Sequence, residues 1–221
     1  LQFLFYNAYA KRFPGGYLNL ESIRNAGRKL LNPVIRLLVI TRISPFAVTA
    51  LGLIFTVVAS WLVWDGKYIA GVVVFIIGSI LDAMDGELAR RQGIESKAGA
   101  VFDSSCDRIG ELFMFAAVLT GKAGAAHHEL IYLVPAALGG SYMVSYVRAR
   151  AEGVNLSCSV GLVTRTERLI LIIMGLVVSG LWDTRAIVFA LAILAVGTWF
   201  TAGQRMVKVF RDGREVSTDE E

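Results

Sequence analysis

Charged residues are scarce in this 221-residue chain. Asp, Glu, Lys and Arg together make up 18%, against about 25% in an ordinary soluble domain. With 55% hydrophobic residues and a mean hydropathy of +0.59, that shortage argues against a soluble globular protein. Cysteine is nearly missing too: Cys106 and Cys158 are the two present. No metal-ligand spacing links them, and reduced thiols are expected. Histidine is confined to the adjacent pair His127–His128. Adjacent side chains point apart on any regular element, so a solvated loop is expected there rather than a metal site. No internal repeat is visible. The opening stretch Leu1–Phe5 is too short for a signal sequence or a span, and a start at Leu rather than Met reads as an N-terminal truncation.

What the chain has instead is apolar blocks of membrane-crossing length. A helix needs ~20 mostly apolar residues to cross the hydrocarbon core. Six blocks qualify, at roughly 46–64, 68–88, 99–120, 130–149, 167–182 and 186–204. Buried strands of that length without turn signals would be unusual. The expected fold is therefore an all-α integral membrane protein with six transmembrane helices. An interfacial amphipathic helix over residues 20–42 should precede them, with Ile23, Leu30, Leu31, Val34, Leu37 and Leu38 on its apolar side and Arg24, Arg28, Lys29 and Arg36 supplying charge. Pro33 should kink or split it. Ser44-Pro45 opens the first span, with Pro near the first helical position. The expected organisation is an N-terminal segment over 1–45, a six-helix catalytic domain over 46–210 and a polar tail over 211–221. Trp61, Trp64, Trp182 and Trp199 lie near span ends, as interfacial anchors do.

The net charge of +4 raises the question of nucleic acid, and the placement of the basic residues answers against it. With six spans, the lysines and arginines outside the predicted spans fall on one side, except Lys67, Lys122 and Arg185. Basic loops stay in the cytoplasm, so both termini and the basic face are expected there, in a multi-pass protein of the cell membrane. The positive charge then faces anionic headgroups or a phosphorylated substrate.

The informative segment runs from Asp82 to Asp107. Asp82, Asp85, Gly86 and Ala89 share one face of the second predicted span, and Gly99, Asp103 and Asp107 share one face of the third. The link Arg91–Ala98 is short, so these helices are expected to be antiparallel neighbours with their carboxylate faces meeting. Four ionised carboxylates in one pocket repel strongly, and each is costly to bury near a bilayer. They persist by sharing protons, by pairing with Arg, or by binding divalent cations. Arg90 and Arg108, the nearest in sequence, are too few to pair all four. Oxygen-only ligands suit Mg²⁺ or Mn²⁺, and a pair of such ions is a known solution for phosphoryl chemistry. Gly86, Ala89 and Gly99 leave the surface bare for a polar ligand. A proton or ion pathway, or a structural ion-pair network, is the alternative.

The segment resembles the signature of the CDP-alcohol phosphotransferase family, D-x2-D-G-x2-A-R-x8-G-x3-D-x3-D, at every fixed position: Asp82, Asp85, Gly86, Ala89, Arg90, Gly99, Asp103 and Asp107. The resemblance implies a reaction in which a hydroxyl attacks the lipid-side phosphate of a CDP-linked lipid, CDP-diacylglycerol or CDP-archaeol, and expels CMP. It also implies roles. Asp82, Asp85 and Asp103 are mainly metal ligands. Asp107 is the general base, with some metal contact. Gly86, Ala89, Arg90 and Gly99 hold the CDP-lipid. Family members are commonly homodimers.

A second basic constellation bears on the acceptor. Ser145 to Glu152, Gly161 to Leu169, and Gln204-Arg205 lie at the cytoplasmic ends of the last three predicted spans, each aiming arginine at the mouth. The pattern is similar to the branch of the family that makes phosphatidylinositol phosphate. That likeness implies that Arg148, Arg168 and Arg205 grip the phosphate of inositol 1-phosphate. Arg148 stands where Lys is common, and Thr164 where Glu is usual. Ser44 to Thr49 resembles the family's P-N-x-x-T, with Phe46 in place of Asn. A phosphatidylglycerophosphate-type synthase using glycerol 3-phosphate is a second enzymatic reading, and a cation or proton-linked transporter is a non-enzymatic one.

Overall fold

The structure, a computed structural model, describes residues 32–218, and among these it is entirely helical with no strand. Residues 32–40 form α1 as far as described. There follow α2 (Pro45–Trp64), α3 (Tyr68–Gln92), α4 (Lys97–Thr120), the single-turn α5 (Lys122–Ala126), α6 (Leu130–Gly153), α7 (Arg165–Leu181) and α8 (Arg185–Thr218). The expected amphipathic helix lies outside the described residues up to position 31.

Local chemistry sets the boundaries. Ser44 is the N-cap of α2 and Pro45 its first residue, where a missing N–H costs nothing. α3 ends at Gly93, whose φ of +69° is the left-handed conformation that closes a helix. Ser96 caps α4 by accepting the Gly99 N–H at 3.0 Å. Thr164 and Glu167 form a capping box at the start of α7, with the Glu167 carboxylate accepting the Thr164 N–H at 2.8 Å. On the α2–α3 turn, Asp65 pairs with Lys67 at 2.8 Å and Lys122 at 3.2 Å. Both hold its carboxyl below the ordinary range.

Five stretches are long and apolar enough to cross a membrane: Pro45–Trp64, Tyr68–Gln92, Lys97–Ala126, Leu130–Gly153 and Arg185–Arg214. The protein is thus a multi-pass membrane protein. The sixth expected span corresponds to α7, which has 17 residues and begins with the polar run Arg165 to Arg168. Large apolar side chains such as Ile54, Val73, Phe189 and Val196 face outward, as a lipid-facing surface requires. The last helix outruns its apolar block: α8 continues through Thr218, so the stretch read as a tail from 211 is helical as far as described.

Packing divides the bundle lengthwise. The buried apolar cluster, including Val63, Phe75, Phe115, Leu130, Leu176 and Leu194, draws on the halves of the helices nearest the Asp65 turn. At the opposite end the buried set turns polar, with Thr49, Asp85, Arg168 and Arg205. α2 is the hub of that end. Both α3 and α4 pack along it, α7 packs on α3 and α8, and α6 packs on α4 and α8. The expectation that the two carboxylate helices would be close neighbours is corrected here. Their backbones do not pack closely along each other, because both lie against α2.

Glycine permits that closeness. A Cβ on Gly78 would stand 3.0 Å from the Gly52 carbonyl oxygen and 3.1 Å from Phe55 Cβ, atoms that cannot yield without separating α2 from α3. Gly78→Val should cost about 1–3 kcal/mol, read as a lower melting temperature in detergent micelles. Gly86→Ala, whose added Cβ would meet only Arg90 Nη1 at 3.9 Å, should leave that temperature unchanged.

Candidate active site

The C-terminal half of α3 carries Asp82 and Asp85, and the N-terminal half of α4 carries Asp103 and Asp107. One oxygen from each of Asp82, Asp85 and Asp103 lies within 4.8 Å of the others. Among the described residues this is the one such cluster of acidic, Cys or His side chains. Asp85 is buried, and the equally buried Thr49 of α2 donates its hydroxyl to Asp85 Oδ2. Asp103 Oδ1 is buried with no hydrogen-bond partner. An ionised oxygen in that condition is expensive unless a cation satisfies it. Three convergent hard oxygens, one of them orphaned, fit a divalent cation of the Mg²⁺ or Mn²⁺ kind.

Asp107 stands outside that triad. It accepts a hydrogen bond from Arg165 Nη2 and lies 3.9 Å from Arg108 Nη2. The same Arg165 nitrogen donates to Asp82 Oδ2 at 2.6 Å, so a guanidinium from the start of α7 joins α3 to α4. A cleft lined by Asp82, Asp107, Arg108, Glu111, Arg165 and Arg168 runs from here into the bundle, where Gly52, Phe75, Met114 and Ile172 line it. Glu111 anchors its polar wall, 3.2 Å from Arg108 Nη1 and 3.3 Å from Arg168 Nε. Arg108 also donates to Ser145 Oγ at 2.5 Å, and Tyr142 donates to the Arg108 carbonyl at 2.8 Å. These bonds tie α4 to α6.

The remaining expected residues separate. Gly86 is exposed with open space over it, Ala89 lies three residues further along α3, and Gly99 sits in the first turn of α4 beside its cap. Arg90 extends back along its own helix to Glu87 at 3.0 Å. Arg91 also meets Glu87 and donates to Asn32 Oδ1 at 2.6 Å, holding α1 to this end of the bundle. Of the three arginines expected to converge, Arg168 alone lines the cleft. Arg148 pairs with Glu152 at 2.8 Å. Arg205 is buried and donates to the carbonyls of Val160 and Val144 at 2.8 and 2.6 Å, joining α8 to α6 and to the loop before α7.

Three participants had no assigned role in the sequence reading. Glu111 continues the α4 face one turn beyond Asp107, a spacing visible in the sequence. Thr49 lay inside a recognised motif. Arg165 was one of many flanking basic residues, and nothing local marks its partners.

A multi-pass helical bundle with an oxygen-rich cation site at one end defines a class of membrane protein, and comparison narrows it. Residues 42–202 match the family model of CDP-alcohol phosphatidyltransferase. The phosphatidylinositol phosphate synthase of Cutibacterium acnes is 32% identical over 208 residues, covering 87% of this chain and 98% of its own. The archaetidylinositol phosphate synthase of Pyrococcus horikoshii is 31% identical over 188 residues, covering 85% and 94%. The crystal structure of Mycobacterium tuberculosis phosphatidylinositol phosphate synthase with CDP-DAG bound superposes with a TM-score of 0.76 at 32% identity, covering 82% of this chain and 94% of that one. Its complex with manganese and citrate gives a TM-score of 0.73 at 32% identity, covering 80% and 88%. The chain belongs to the CDP-alcohol phosphatidyltransferase family.

Thr49 orients one carboxylate of the triad, and partners of that kind are typically worth 10–100-fold in metal affinity. Thr49→Val should weaken Mn²⁺ binding to the purified protein by about 10-fold, measured by isothermal titration. An unchanged isotherm would show that Asp85 does not need the bond.

Proposed function

We propose that this protein is a divalent-metal-dependent enzyme that transfers a phosphatidyl-type group from a CDP-linked lipid to the hydroxyl of inositol 1-phosphate, releasing CMP. The observation that carries the reading is the signature, complete at all eight positions, with oxygens of three of its four aspartates, Asp82, Asp85 and Asp103, within 4.8 Å of one another. Relatives named for inositol phosphate products, bacterial and archaeal alike, support the acceptor. Structures of one such relative with CDP-DAG, and with manganese, support the donor and the metal.

Asp82, Asp85 and Asp103 would hold the cation, with Asp107 at the margin. When bound, the metal supplies positive charge against the diphosphate and the developing charge of the leaving group. Asp107 accepts the proton of the acceptor hydroxyl. As that proton leaves, the hydroxyl oxygen bonds to the lipid-side phosphorus, the bond from that phosphorus to the bridging oxygen breaks, and CMP departs with its electron pair. Gly86, Ala89 and Gly99 keep side-chain bulk away from the cytidine diphosphate, and Arg90 offers it a cation. Arg168, held by Glu111 within the cleft, is the best-placed anchor for the acceptor's phosphate. Arg148 and Arg205 complete that set by the likeness of their surroundings to the inositol phosphate branch.

The same reading assigns the membrane layout. α7 is the sixth crossing: its 17 residues make a helix of about 25 Å, within the range that spans a bilayer when flanking arginines reach outward. Both termini and the aspartates face the cytoplasm, following the bias of basic residues.

Purified protein given CDP-diacylglycerol or CDP-archaeol with Mg²⁺ should release CMP with inositol 1-phosphate and far less with glycerol 3-phosphate. The reverse preference would move it to the phosphatidylglycerophosphate reading, and no CMP with any phosphorylated alcohol would remove the enzymatic one. Asp107→Asn should lower turnover by about 10²–10⁴-fold while sparing most CDP-lipid binding. Unchanged turnover would refute its role as base.

A further inference from the structure

Arg165 occupies an unusual position for a cation near a metal site. A single nitrogen, Nη2, donates to Asp82 on α3 and to Asp107 on α4. Asp82 is also one of the three carboxylates whose oxygens converge, so the guanidinium and a divalent ion draw on the same ligand. The two carboxylates are largely enclosed, with side-chain exposures of 16% and 10%, while Arg165 is 45% exposed. The arginine therefore reaches in from the solvent side and covers the cluster.

Its attachment differs from that of its neighbour on the same helix. Arg168 is buried, held by Glu111 from within the bundle. Arg165 is the first residue of α7, and it follows a loop that spans 154–164 without helix. Among the described residues, its side-chain hydrogen bonds are the two from Nη2 to aspartates. Swinging the side chain outward breaks those two bonds.

We propose that Arg165 is an internal counter-cation that competes with the divalent metal for the aspartate cluster and is expelled when the metal binds. The electrostatics require some such partner. Carboxylates this close need compensating charge, and a guanidinium supplies it without titrating at any physiological pH. A divalent ion at Asp82, Asp85 and Asp103 supplies more charge and repels the guanidinium beside it. Binding of each is then weakened by the other, and by linkage the penalty is the same in both directions. The expelled side chain is left at the mouth of the site, where it presents a planar donor fork to incoming phosphate. Metal occupancy and phosphate capture are thereby coupled through one side chain. This rests on the metal reading of the triad.

The test is Mn²⁺ titration of the purified protein without lipid substrate, followed by isothermal calorimetry or the electron paramagnetic resonance of free Mn²⁺. Arg165→Gln should bind Mn²⁺ tighter by on the order of 5- to 10-fold. Arg211→Gln, at an exposed site on α8 far along the chain, should match the wild type. Affinity that is unchanged or weaker in Arg165→Gln would overturn the proposal, since an arginine that merely supports the site loses metal when removed. Wild-type protein that binds no Mn²⁺ would instead overturn the metal reading beneath it. A second measurement needs no variant. Modification of Arg165 by phenylglyoxal, followed by peptide mass spectrometry, should rise several-fold when Mn²⁺ is added to the wild type. Protection or an unchanged rate would show that the guanidinium is not expelled.

Discussion

Four carboxylates brought to one end of an apolar bundle repel each other, and much of that end is arranged around their repulsion. Arg165 bridges Asp82 and Asp107, Thr49 donates to Asp85, and Arg108 approaches Asp107. Glu111 continues the same helix face and pairs with Arg108 and Arg168, giving two cations a fixed seat in the wall of the cleft. Apart from Asp103, whose Oδ1 has no partner, these acidic groups are answered from α2 through Thr49, from α4 itself through Arg108, and from α7 through Arg165 and Arg168. The charges therefore do architectural work as well as chemistry, linking helices whose apolar contacts lie mainly at the other end.

The close approach of α2 and α3 through Gly52 and Gly78 serves the same site. It brings Thr49 within reach of Asp85, and it lets α2 stand between the backbones of α3 and α4. The carboxylates then meet across a cleft rather than across a packed seam. A direct α3–α4 seam would bury the metal-binding face among small side chains and leave no room for a nucleotide.

Much of this was legible in the sequence. Helical spacing is local, so Asp82, Asp85, Asp103 and Asp107 could be assigned to two helix faces from their intervals, and Ser44-Pro45 and Gly93 mark boundaries by chemistry that acts within a few residues. The acidic cluster follows from those intervals. What was not legible depends on which helix lies beside which. The short link Arg91–Ala98 suggested a close α3–α4 pair, but a short link constrains only the ends, and α2 took the contact. Arg165 lies 58 residues from Asp107 and 83 from Asp82, and its immediate neighbours look like any basic flank. Arg205 shows the converse. Read as one of three phosphate ligands, it spends two donors on the carbonyls of Val144 and Val160, a use that no pattern of charge along the chain reveals.

The lengthwise division of the bundle has an evolutionary consequence. Because the apolar cluster occupies one half of the molecule and the titratable groups the other, substitutions at the polar mouth leave the packing that holds the helices together largely untouched. An exposed arginine such as Arg148 can be exchanged, and the acceptor pocket remodelled there, without touching that packing, whereas buried Arg168 and Arg205 tie helices together and are less free to change. A fold partitioned in this way can keep one phosphate-transfer chemistry while its choice of alcohol drifts.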